Sequence, residues 1–329
     1  MLSWLQNHLS RRMSHATGYF SHPLCWQHDM GPGHPESAHR LAAIEDRLLI
    51  TGLELALERR EATPAAIADL ELAHGRLHLA ALRGLTDTLR EDIQAGGPPL
   101  AQIDADTAIN VHTWDAALVA AGAAIDATDA VIAGEMINAF CAVRPPGHHA
   151  MRNKAMGFCF VNNVAVAAKY ALQRHGLSRV AIIDFDVHHG NGTEDIVVGD
   201  ERILMCSFYQ HPFYPEGEHA QAPNLVNVPI SAYTKGSAIR DLVDEQWMPR
   251  LAAHRPEMVF ISAGFDAHRE DDMGQLGLVE DDYAWLTRRI KAVADEHAQG
   301  RIVSCLEGGY NLSALARSVE AHLRVLADV

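Results

Sequence analysis

The chain has 329 residues, 48% of them hydrophobic, which is enough for one large α/β core. Its formal net charge of −15 argues against general binding to nucleic-acid phosphates and fits cationic substrates, although most of these acids read as ordinary solubility charge. No apolar run reaches membrane-spanning length, so no membrane partner is expected.

The first residues, Met1 to Met13, lack the uninterrupted apolar core of a signal peptide. Leu2, Trp4, Leu5 and Leu9 are spaced as one face of a short helix, so residues 1–20 read as an N-terminal extension, either frayed or a homo-oligomer contact. Periodicity predicts a helix over Ser37–Thr51, a loop at Gly96-Gly97-Pro98-Pro99, and a helix over Trp114–Ala133. A strand over Ile137–Val143 and a helix over Asn163–Arg174 follow. Next come strands Val180–Phe185 and Ile203–Phe208, helix Ala238–Leu251 and strand Met258–Ser262. Helix Glu280–His297, strand Ile302–Leu306 and helix Leu312–Leu326 complete the chain. Strands alternating with helices predict a largely parallel, doubly wound sheet. No repeat or linker interrupts it, so residues 1–329 read as a single catalytic domain. Five scattered cysteines without a CxxC pair read as buried free thiols in a reducing, cytoplasmic setting. Among the twenty histidines, His8, His74, His78 and His175 read as surface residues.

Active sites of such sheets lie beyond the carboxyl ends of the strands. Four strand ends here carry chemically capable residues. They are Arg144-Pro145-Pro146-Gly147-His148-His149, Asp184-Phe185-Asp186-Val187-His188-His189, Ser262-Ala263-Gly264-Phe265-Asp266 and Glu307-Gly308-Gly309-Tyr310. Buried acids need a partner, and no Arg or Lys lies inside the second motif to supply one. Asp186, His188 and Asp266 form a plausible three-ligand set for zinc or a similar metal, leaving one position open for water and substrate. His148 and His149, held after a Pro-Pro-Gly turn, suit general acid/base work. Asp184 is the natural orienter of one imidazole and Asn191 of the other. Tyr310, after two glycines, reads by itself as a surface loop tyrosine, or as a phenol able to donate to an oxyanion. Together these residues predict hydrolysis of an amide or ester by activated water.

These motifs, with Gly157-Phe158-Cys159-Phe160-Val161-Asn162-Asn163 and the start at His34-Pro35-Glu36, resemble the zinc-dependent histone deacetylase superfamily. Asn191 and the His34 start are similar to class II members and the bacterial histone deacetylase-like amidohydrolases. The resemblance implies the arginase/deacetylase fold, with a central parallel sheet of about eight strands flanked by helices. It implies Zn2+ on Asp186, His188 and Asp266, His149 as general base and acid, His148 as mainly electrostatic, and Tyr310 on the oxyanion. It further implies a structural K+ held by Asp184, Asp186, His188, Ser207 and Phe208, with an outer cation site near Val197, Asp200 and Ile203. The substrate tunnel would use Gly157, Phe158, Tyr214, Met273 and Gly309. Met273 stands where polyamine-selective relatives carry a glutamate, which favours an acyl-lysine peptide or protein over a small acylated amine. Glu216, Glu218, Glu270, Asp271 and Asp272 lie near enough in sequence to weaken that exclusion. An arginase-like two-manganese enzyme and a silent acyl-lysine binding module are the alternatives. Arg144–His149 supplies no bridging acids for the first, and the second should have lost a ligand, the histidine pair or the tyrosine.

Overall fold

The computed structural model describes residues 16–217 and 219–329. The expected helix of Leu2 to Leu9, with its oligomer contact, lies outside the described residues, as do His8 and Glu218. Ten strands follow in chain order. They are β1 (Thr17–Ser21), β2 (Leu57–Glu61), β3 (Ala101–Gln102), β4 (Ala108–Ile109), β5 (Asn138–Cys141), β6 (Val180–Asp184), β7 (Ile203–Gln210), β8 (Leu225–Ile230), β9 (Val259–Ala263) and β10 (Ile302–Leu306). Eight of them form one sheet in the order β2-β1-β5-β10-β9-β6-β7-β8, and every pairing in it is parallel. The central strands are buried throughout, as near-continuous runs such as Val180-Ala181-Ile182-Ile183 require when helices cover a parallel sheet. The helices Thr113–Ile132 and Asn163–Arg174 pack on one another and on the sheet. A second group, His39–Thr51, Glu280–His297 and Leu312–Leu326, packs together likewise.

This order has a direct consequence. The four strand ends singled out above belong to β5, β10, β9 and β6, which are contiguous in the sheet. Adjacent parallel strands deliver their loops to one edge, so the four motifs meet there. Two asparagine caps help to place them. Asn162 accepts from the Ala165 amide at 2.9 Å and starts the helix behind the Gly157 loop. Asn311 accepts from the Ala314 amide at 3.0 Å and starts the last helix directly after Tyr310.

Three expectations change. Residues 17–21 are not an extension but strand β1, paired with both β2 and β5. The helix expected over Ala238–Leu251 is divided into Gly236–Leu242, a π-turn at Val243–Trp247, and Met248–His254. Pro249 lacks the amide needed to continue an α ladder, and the extra residue of the π-turn accommodates it. His74 is buried rather than at the surface. Its Nδ1 donates to the Met151 carbonyl at 3.0 Å, and its Nε2 accepts from the Asn162 amide at 2.9 Å. It therefore clamps the loop that carries Gly157 and Phe158, and burial first, then His78, lowers its pKa to about 4.

Candidate active site

Beyond β6, alternation turns Asp184, Asp186 and His188 to one side. Donor atoms of Asp186, His188 and Asp266 lie within 4.8 Å of one another, and all three residues are buried. His188 Nδ1 sits 3.0 Å from Asp186 Oδ1 and 3.2 Å from Asp266 Oδ2. One imidazole proton cannot serve two carboxylates, and Asp266 Oδ2 receives no aligned hydrogen bond. The remaining oxygens are held by backbone amides: Val187 donates to Asp266 Oδ1 at 2.9 Å, and Gly308 to Asp186 Oδ2 at 2.9 Å. Two carboxylates and one imidazole, with a lone pair left orphaned between them, fit a small divalent cation. The charge balance agrees. Burial works against the His188 cation, but Asp186 and Asp266 outweigh it and raise its pKa to about 10. Burial, then Asp186, raises the Asp266 carboxyl to about 7.

Glycines make room for this cluster. A Cβ on Gly264 would stand 2.0 Å from Asp186 Oδ2, and one on Gly308 would stand 2.0 Å from Asp266 Oδ2. Both positions require glycine because the carboxylates lie directly against the backbone.

The two adjacent histidines sit in different electrostatic settings, with ring centroids 4.0 Å apart. His148 Nδ1 donates to Asp184 Oδ2 at 3.0 Å, and its Nε2 lies 3.8 Å from Asp186. Burial opposes its charge, but Asp186 and Asp184 prevail and hold its pKa well above the ordinary value. His149 Nδ1 donates to Asn191 Oδ1 at 2.7 Å. Burial first, then the His148 and His188 charges, pushes its pKa well below the ordinary value. An amide partner cannot offset burial and those charges as a carboxylate would, so His149 stays neutral with Nε2 free to accept a proton.

Phe158, at φ 68°, meets Tyr310 edge-on with centroids 6.0 Å apart. Gly157, at φ 57°, lies against the His149 ring, which a Cβ would approach to 2.5 Å. Phe213 stacks on His188 at 5.5 Å, while Tyr214 stands edge-on to His149 at 5.2 Å. Met273 is half-buried, and Gly309 turns at φ 118° beside Phe265. Asp271 is committed inward and accepts from the amides of Met273, Tyr310 and Asn311 at 2.9, 2.6 and 2.8 Å. Glu270 pairs with Arg317 at 2.8 Å. Asp184 and Ser207 are register partners across β6 and β7, and the Ser207 hydroxyl lies 3.4 Å from the Phe208 carbonyl. Around the expected outer cation site, the carbonyls of Val197, Asp200 and Ile203 converge on Nδ2 of Asn224 at 2.9, 3.3 and 3.0 Å.

Sequence reasoning placed Glu36, Arg144 and Glu307 in motifs but missed Arg40 and the charged layer that the four form beneath the site. Glu36, Arg40, Arg144 and Glu307 are all fully buried. Glu36 binds the guanidinium of Arg144, with Oε2 2.8 Å from Nη2, and accepts from Arg40 Nη1 at 3.2 Å. Arg40 also donates to the carbonyls of Glu307 and Gly309, and its guanidinium carbon lies 5.0 Å from the centre of the Tyr310 ring. Glu307 accepts from the amides of Gly147 and His148 at 2.7 and 3.1 Å and from the Ser262 hydroxyl at 3.1 Å. It ties three of the four strand ends together. The available signal was Glu307 at the end of an otherwise apolar strand, where burial demands partners.

Comparison with known proteins agrees with this geometry. A profile of the histone deacetylase domain matches residues 34–326. The histone deacetylase-like amidohydrolase of Pseudomonas aeruginosa is 35% identical over 325 residues, covering 91% of this chain and 83% of that protein. A probable deacetylase of Archaeoglobus fulgidus is 36% identical, covering 90% and 82% respectively. The crystal structure of the HDA15 HD domain superposes with a TM-score of 0.85 at 31% identity, covering 96% of this chain and 89% of that one. A family match over most of the chain and relatives at 35% and 36% identity show that the chain belongs to the histone deacetylase family of amide hydrolases.

Proposed function

We propose that this chain hydrolyses the amide bond of acylated lysine side chains in peptides or proteins, with one zinc ion on Asp186, His188 and Asp266. The observation that carries the reading is the orphaned Oδ2 of Asp266 inside a three-donor cluster, flanked by His148 on a carboxylate and His149 on an amide. Zinc bound there would polarise the acyl carbonyl and acidify a water molecule.

The remaining work falls to the chain's own side chains. Neutral His149 takes the proton of the attacking water at Nε2 and returns it to the leaving lysine amine. Asn191 fixes its tautomer from the other side. His148, held as a cation by Asp184, supplies positive charge without transferring a proton. Tyr310 keeps its proton, because burial raises its pKa well above the usual value, and donates to the developing oxyanion. Arg40 behind its ring and Asp271 on its backbone amide fix its position. Phe158 and Tyr214 wall the acyl-lysine stem. Two of the acids near Met273 are engaged elsewhere, Asp271 by three amides and Glu270 by Arg317, so neither of these is open to a distal ammonium, whereas Asp272 is exposed. This supports acyl-lysine over acetylated polyamine. A K+ ion against Asp184, Ser207 and Phe208 would offset the buried carboxylates.

The test is turnover by the zinc-loaded protein of acetyl-lysine peptides, longer acyl-lysine peptides and acetylated polyamines, with and without a hydroxamate chelator. Chelator-sensitive deacylation of peptides is expected. Turnover of polyamines alone would move the substrate to small acylated amines, and a zinc-loaded protein inert to all three would sink the reading.

A further inference from the structure

His189 follows His188 and points to the other side of the strand end. It is 1% exposed, yet neither of its ring nitrogens has a hydrogen-bond partner. A buried imidazole without partners is costly, and its surroundings are polar rather than apolar. Its Nε2 lies 3.1 Å from Glu194 Oε2 without hydrogen-bond alignment. The His219 ring stands 4.2 Å away, centroid to centroid, and the Tyr209 ring 4.4 Å away. Ligand atoms of His189, Glu194 and His219 all lie within 4.8 Å of one another, as compactly as those of Asp186, His188 and Asp266.

We propose that His189, Glu194 and His219 form a second divalent-metal site of zinc class, whose ion fastens the loop following Tyr214 to the helix Asn191–Val197. Two imidazoles and one carboxylate are a borderline-soft donor set suited to zinc, cobalt or nickel rather than to calcium or magnesium. Glu194 is already oriented for the task, because Oε1 accepts from the Ala220 amide at 2.7 Å and Oε2 from the side chain of Asn227. Access is open. Two clefts, of about 530 and 640 Å³, share Gly217, His219 and Ala220 as a common wall. The His211 ring, 5.7 Å from that of His219, is near enough to contribute if the loop adjusts.

The position gives the ion a role. His219 lies five residues after Tyr214, which stands against His149, and Glu194 lies on the helix that opens with Asn191, the partner of His149. A metal bridging the two would brace one wall of the catalytic site from behind. It would add loop rigidity without touching the reacting atoms.

The experiment titrates zinc into the metal-stripped full chain and counts bound equivalents by equilibrium dialysis and elemental analysis. Two equivalents are expected for the unaltered protein and one each for Asp266→Asn and His219→Ala. The same one is expected for Glu194→Gln, which keeps size but removes charge. Hydrogen exchange over residues 211–222 should slow several-fold when the second equivalent binds, and should not respond in His219→Ala. His219 sits in a half-exposed loop, so circular dichroism should show a native fold in that variant. A single equivalent in the unaltered protein, or undiminished uptake in both His219→Ala and Glu194→Gln, would overturn the proposal. Failure of Asp266→Asn alone to lose an equivalent would instead strike the catalytic ligand set.

Discussion

His188 and His189 are chain neighbours in opposite environments. Around His188 the ligands are fixed: backbone amides of Val187 and Gly308 hold the partner carboxylates, and Gly264 and Gly308 bring the backbone directly against them. Around His189 it is open. The third donor comes from a loop, two clefts reach it, and the imidazole itself makes no aligned hydrogen bond. The contrast teaches that the carboxyl edge of a parallel sheet fixes side chains where several strand ends interlock. It leaves them adjustable where one strand end faces a loop.

The sharpest way to break this comparison is to add one methyl group to each side. Gly308→Ala drives a Cβ into Asp266 and Asp186, so zinc binding at that cluster and turnover should both be lost. Gly217→Ala meets no atom within 4 Å and costs only its backbone preference at φ 140°, about 1 kcal/mol, with catalytic zinc retained. Elemental analysis and melting of the two variants check this, and equal zinc loss in both would end the distinction. Tyr310→Phe should leave zinc bound and reduce turnover roughly a hundredfold, the usual effect of losing an oxyanion donor, as read from kcat with a peptide substrate. Unchanged kcat would remove Tyr310 from the mechanism.

The interlocked side should also depend on the charged layer beneath it. Glu36→Gln leaves Arg144 and Arg40 short of their shared carboxylate and should cost about 3–5 kcal/mol in denaturant unfolding. The sign with pH follows from linkage. Burial alone would raise the Glu36 pKa, but Arg144 and His28 outweigh it and hold it well below 4.5. Its contribution is therefore full above that value and is lost as pH falls beneath it. The unaltered protein should lose stability on acidification below about pH 4.5, and the variant should lack that component. A variant with the same acid profile would show that other groups govern it. The smallest effect is expected on the adjustable rim. Met273→Glu should raise turnover of acetylated polyamines relative to acetyl-lysine peptides, and an unmoved ratio would show that the rim does not choose the substrate.

The sequence alone determined the core strands and the four chemical strand ends, because a doubly buried strand must be apolar and any charge at its end then stands out. Helices Glu280–His297 and Leu312–Leu326 were legible to the residue, since acids in the first turn and an asparagine cap mark their starts. The outer strands were not. β2 carries Arg59 and Arg60, and β8 carries Pro229, features that edge strands tolerate and that mask their pattern. Asp186, His188, Asp266, His148 and His149 were legible because their residue types in those motifs have few uses other than chemistry. What only the tertiary structure decided lies in contacts between distant segments. Examples are the Glu36–Arg144 pair across 108 positions, Arg40 behind Tyr310, Asn224 beside the Val197 carbonyl, and His219 beside His189. No local pattern encodes such pairings, because they arise from sheet order and loop course, and buried polar groups then find their partners through space.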